Sequence, residues 1–142
     1  MSELRKLFVF VTTSTCWDIH TGSSIRLVYE SRDRMQAFEF GNRLCGKSEQ
    51  GQTQMYSFDF PFKNIDIRDI SGENFKLVAA GNAAWLPGSI FIIGKTNLNF
   101  FSLIVALDRW PEDAWLCGEL SNRNDKVAIA RTLNLSATPT TA

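Results

Sequence analysis

The sequence predicts an all-β protein, an antiparallel β-sandwich of about eight strands. Three observations carry that expectation. Apolar and polar residues alternate with period two, most clearly where Tyr56, Phe58, Phe60 and Phe62 interleave with Ser57, Asp59 and Pro61. That is the pattern of a strand with one wet face. Turn-forming clusters recur between short apolar stretches at intervals of roughly 8–12 residues, the spacing of sandwiches and barrels. No stretch keeps a 3.6-residue apolar period long enough for a substantial helix.

The strands are expected in this order. Residues 7–11 (Leu-Phe-Val-Phe-Val) are apolar on both faces, which places them centrally. Ile25, Leu27 and Tyr29 alternate with polar neighbours, and Phe38 and Phe40 flank Glu39. The phenylalanine-rich strand 56–62 follows, then Ile65 and Ile67 around Asp66 as a further half-buried strand. Residues 75–78 and 126–135 are additional candidates, while 89–93 and 103–107 are apolar on both faces and again read as central. One short helical turn is expected at Pro111-Glu112-Asp113-Ala114, with proline in the first turn and acids behind it.

Residues 1–135 are expected to form one domain and 136–142 a loose tail; nothing repeats internally. With 142 residues, 44% of them hydrophobic, the chain can build a core without metal or disulfide staples. Fifteen basic and fifteen acidic residues give a net charge of zero. No run of Lys or Arg exceeds the pair Arg5-Lys6, so the basic footprint that nucleic acid or a polybasic membrane anchor requires is missing. The five-residue apolar run at 7–11 is too short for a signal-peptide core or a transmembrane span. Three cysteines without paired spacing argue against a disulfide framework and for a reducing, cytoplasmic compartment. Zero net charge also removes a brake on self-association, so a homodimer is preferred to a monomer.

Catalytic constellations are sparse. His20 is the single histidine, which excludes multi-histidine metal sites. Cys16, Asp18 and His20 would share one loop, whereas catalytic triads draw on separated elements, so a loop histidine beside a strand-end cysteine is preferred. The pairs Glu112/Asp113 and Asp66/Asp69 read as solvated charges, since sequence neighbours rarely face each other across a cleft. Phosphate-binding, dinucleotide-binding and nucleophile-elbow motifs are absent. No catalytic or metal-ligating residue is assigned, no cofactor is expected, and the chain reads as a non-enzyme.

Four tryptophans are more informative. Trp85 precedes an apolar strand and reads as core. Trp17 shares a loop with Asp18 and His20, and Trp110 and Trp115 bracket the predicted helical turn. Exposed, such rings could stack on a sugar or enter a lipid interface; folded back, they would plug one end of the sandwich, and that second reading is favoured for Trp110 and Trp115. Loops held by rigid strands are where binding usually resides. The ligand-binding candidates are therefore Trp17, Asp18 and His20 first, and Trp110 and Trp115 second. Cys45, in a glycine-flanked loop near Lys47, is the cysteine expected to be exposed and reactive.

Two segments together resemble the PLAT domain, the lipoxygenase-homology β-sandwich. The first runs from the strand 8–12 through the loop 13–21 to Thr21-Gly22-Ser23-Ser24 and then Ile25-Arg26-Leu27-Val28-Tyr29. The second is Asn82-Ala83-Ala84-Trp85-Leu86-Pro87-Gly88-Ser89-Ile90-Phe91-Ile92-Ile93, similar to the stretch in which a core tryptophan precedes a strand. The resemblance spans about residues 6–110. It implies a non-enzymatic module that docks a protein partner, a lipid surface or a small apolar ligand. Serines replace the acidic residue of the PLAT Gly-Thr-Asp-Ala loop, which leaves Asp18 alone as a weak calcium ligand. The alternatives are a carbohydrate-binding lectin using exposed tryptophan, and a structural protein that assembles into oligomers.

Overall fold

The computed structural model describes residues 2–17, 24–40, 53–80, 84–108, 115–117, 128–130 and 132–134. Ten strands lie among them, and no α-helix. β1 (Leu4–Trp17), β4 (Thr53–Asp59), β6 (Ala84–Thr96), β7 (Phe101–Leu107), β8 (Trp115–Cys117) and β9 (Ala128–Ala130) form one sheet. β2 (Ser24–Glu30), β3 (Ala37–Phe40), β5 (Phe75–Ala80) and β10 (Thr132–Asn134) form the other. Every pairing is antiparallel except β8 with β9. The all-β sandwich expected from the periodicity is the observed architecture.

The larger sheet runs β4-β1-β6-β8-β9, with β7 pairing the other half of the β6 edge that β8 occupies; the smaller runs β10-β5-β2-β3. The inner faces meet in one core. Leu7, Val9, Val11, Ile90, Ile92, Val105 and Leu107 face Leu27, Tyr29, Phe40, Phe75 and Leu77, all buried. Aromatic rings fill its middle: Tyr29 stands edge-on to Phe60 at 5.0 Å between centroids and lies 5.8 Å from Phe75. Such pairs add roughly 0.5–1.5 kcal/mol each beyond area burial.

Three sequence expectations are corrected. Ile65 and Ile67 do not form a strand. Only an isolated bridge joins Asp66 to Glu3, and the chain turns at once into a single 3-10 turn, Ile67–Asp69. The cause is local: the Asp66 side chain accepts from the Arg68 N–H, and that cap bends the backbone out of the extended state. Residues 103–107 are not central, since among the described residues β7 pairs with β6 alone and leaves Phe101 and Leu103 exposed. The segment 126–135 is not one strand but two, with β9 in the larger sheet and β10 in the smaller.

The outer faces differ. On the smaller sheet Arg26 pairs with Glu39 at 3.0 Å and Lys76 with Glu30 at 3.3 Å, giving a wet, charged surface. On the larger sheet the register lines up apolar residues instead. Phe10 stands between Met55 and Phe91, and Phe8 between Ser57 and Ile93, whose other neighbour is Leu103.

The connection between β4 and β5 is held by buried polar groups. The Asn74 amide donates to the Glu30 carbonyl at 3.0 Å, and its side-chain oxygen accepts from the Ser71 N–H at 3.0 Å. Ser71 in turn caps the short turn Gly72–Asn74. These bonds tie 71–74 to the end of β2 and give the buried Asn74 side chain a partner for both its oxygen and its nitrogen.

Candidate functional site

The sandwich has two ends, and the strand register decides which loops share one. Trp17 closes β1 opposite Ala84, and Cys16 lies opposite Trp85. On its other edge β6 pairs Ala84 with Cys117 and Trp85 with Leu116. Trp17, Ala84 and Cys117 therefore fall in one row across three strands, about 10 Å from first to last at the usual strand spacing. Trp115 opens β8 two positions before Cys117. Trp17 is thus a strand-end residue rather than a loop residue, because β1 continues through Thr12, Thr13 and Thr15, β-branched residues that suit an extended chain.

β1 and β8 therefore finish at the same end of the larger sheet, β1 with Trp17 and β8 with Cys117. Segment 18–23 follows β1 there and segment 118–127 follows β8, whereas Trp115 opens β8 two positions inside that end. Asp18, His20 and Trp110 lie outside the described residues, as do Cys45, the segment 111–114 and the tail 136–142. Tryptophan offers a broad apolar face with one N–H donor, so two near one sheet end suit capture of a flat or partly apolar ligand.

The opposite end holds a polar cleft of about 280 Å³, lined among others by Tyr29, Ser31, Asp33, Asn64, Asp69 and Asn74. The β2–β3 turn forms one wall. Asp33 accepts from the Ser31 hydroxyl at 2.6 Å and from the Met35 N–H at 3.0 Å, and these bonds hold its carboxyl below the usual range. Burial, with the charge of Asp33 nearby, pushes the Tyr29 phenol up. Sequence reading missed this cleft because its residues come from two turns separated by β3 and β4. The Ser31-x-Asp33 turn signal was present in the sequence, but nothing in it said what the turn would face.

Asp66 also lines the cleft. The Arg68 side chain donates to its carboxylate at 3.2 and 2.9 Å, and with the Arg68 N–H at 2.9 Å lowers its pKa from 3.8 to about 2. A carboxylate lowered in the folded state stabilises the fold above its unfolded pKa and stops doing so as pH falls through the folded value. The Asp66→Asn variant should therefore melt below wild type at pH 6. That gap should close between pH 3.8 and about 2, in thermal unfolding followed by circular dichroism. A gap of constant size down to about pH 2 would contradict this role.

Among the described residues, no group of three His, Cys, Asp or Glu side chains could hold one metal ion. No helix there is long and apolar enough to cross a membrane.

No protein-family model matches the chain, and neither does any curated protein sequence. Among solved structures, the chain is similar to the alpha toxin from Clostridium absonum. The TM-score is 0.52 with 18% identity, over 82% of this chain and 30% of the toxin chain. At that identity the likeness is one of fold: this chain is a β-sandwich similar to a part of the toxin less than a third of its length.

Proposed function

We propose that this chain is a non-enzymatic, PLAT-like binding module that needs no cofactor and docks a protein partner, a lipid surface or a small apolar ligand. The docking site is the end of the sandwich where β1 and β8 both finish. The observation that carries this reading is the register that puts Trp17 in the end row of the larger sheet and Trp115 two positions in from that row. Its supports are the sandwich fold and the likeness to one part of a larger toxin chain. Asp18 and His20 belong to the stretch that follows β1 at that end, where a carboxylate could accept from a partner's arginine or a hydroxyl group; Trp110 precedes β8 in the sequence.

Tryptophan emission tests the reading. Titration with phosphatidylserine-containing vesicles, with and without calcium, should give a saturable blue shift as indoles leave water. A glycan mixture should give none. A saturable response to glycans alone would replace this reading with the lectin. A spectrum already blue and unmoved by either would mean buried tryptophans and remove the proposed site.

A further inference from the structure

We propose that the outer face of the six-stranded sheet is a homodimer interface, occupied by the same face of a second copy of this chain. The face is contiguous by register. Phe8 and Phe10 on β1 lie beside Ile93 and Phe91 on β6, with Met55 at one flank and Leu103 at the other. Phe8, Phe10, Phe91 and Ile93 are half-buried, whereas Met55, Leu103 and Phe101 are 56%, 58% and 62% exposed. Phe101 packs on Phe8 at 6.3 Å between centroids, extending the same surface.

At ~200 Å² for a large apolar side chain, these seven residues present on the order of 500 Å² to water. That is the scale of the apolar centre of a standard interface of ~800 Å² per partner. The smaller sheet shows what a solvated outer face looks like in this protein, with its Arg26–Glu39 and Lys76–Glu30 pairs. Among the described residues, the larger sheet has no such covering of charge over its centre.

The rim points to a second copy rather than to a lipid surface. Asp59, Lys6 and Lys95 form one row across β4, β1 and β6, with Lys6 and Asp59 3.7 Å apart. A two-fold axis running along β1 stacks the two faces about 10 Å apart and reverses the order of that row. Each chain's Asp59 then stands opposite the other's Lys95, the two Lys6 side chains meet at the axis with each chain's own Asp59 beside them, and the Phe8 and Phe10 rows meet themselves. Both signs of charge on the rim and a net charge of zero suit self-pairing; an anionic membrane would favour a rim of cations alone.

Sedimentation velocity over a micromolar dilution series tests the proposal, with thermal unfolding confirming that each variant is folded. The wild type should be dimeric at the top of the series and dissociate on dilution. Leu103→Lys, at an exposed position, should weaken the dimer by at least ~10-fold. Asp59→Lys, at a side chain 87% exposed, should weaken it similarly, and adding Lys95→Asp should restore it. A wild type monomeric throughout, or a dimer indifferent to Leu103→Lys and Asp59→Lys, would overturn the proposal. So would a monomer that phosphatidylserine-containing vesicles take up in the wild type but not as Leu103→Lys, which would give the face to a membrane. None of these variants touches the tryptophan end, so the emission test above is read separately.

Discussion

Truncating Phe75 to alanine is expected to remove about 3–5 kcal/mol of stability. Phe75 is fully buried at the start of β5, opposite Tyr29 on β2, with their ring centroids 5.8 Å apart. Tyr29 also packs on Phe60 at 5.0 Å and Phe62 at 5.6 Å, so one ring joins the smaller sheet to the chain leaving β4. Removing Phe75 deletes its own transfer energy and leaves a cavity that two hydrogen-bonded sheets cannot close. Domains of this size are stable by about 5–15 kcal/mol, so the loss takes a large part of the total. Urea unfolding should show a much lower midpoint, while Val78→Ala, half-buried further along the same strand, should cost far less. Equal costs at the two positions would contradict the placement of the core.

Gly94→Val is expected to cost about 1–3 kcal/mol, or more, by the opposite mechanism of overpacking. Gly94 is buried in β6 opposite Leu7 and Ser102. A Cβ there would lie 2.6 Å from Ile67 Cδ1, 2.8 Å from Leu4 Cδ1 and 2.9 Å from Ile104 Cδ1. Three apolar side chains from three elements already fill the space that a side chain would need. Their tips can shift, but Leu4 is fully buried and has little room to give. The irregularity between Ile92 and Ile93 in the pairing with β7 leaves Ile104 without a partner of its own, and its side chain reaches the space above Gly94. Thermal unfolding should rank Gly94→Val below Gly94→Ala, and both below wild type. A valine variant as stable as wild type would mean that the packing here is loose.

The fold class was legible because period-two alternation reports a strand's two faces directly. Tyr56 and Phe58 turn inward and Met55, Ser57 and Asp59 outward, as their spacing predicts. Residues 7–11, 89–93 and 103–107 were harder, for one physical reason. A strand apolar on both faces can be covered on both sides, or can carry an outer face that nothing in its own chain covers. The residue pattern is the same in either case, and the exposure of Leu103 distinguishes them. Ile65 and Ile67 alternate and both pack against the core, yet the Asp66 cap, a local side-chain bond, overrides their strand pattern.

The candidate site was legible only in part. Trp17 and Trp115 could be singled out by residue type and by their position between apolar runs. That their strands flank β6 at one sheet end follows from long-range pairing, which no local pattern encodes. The cleft around Tyr29 and Asp33 has the same origin, since its walls meet only when both sheets are assembled.

Co-sedimentation with phosphatidylserine-containing vesicles decides which end of the sandwich binds. Trp17→Ala and Trp115→Ala should each weaken binding at least ~10-fold, as aromatic anchors of one site do. Asp33→Asn, in the cleft at the opposite end, should leave binding unchanged. Loss of binding in Asp33→Asn with both tryptophan variants unaffected would contradict the account and move the site to the other end.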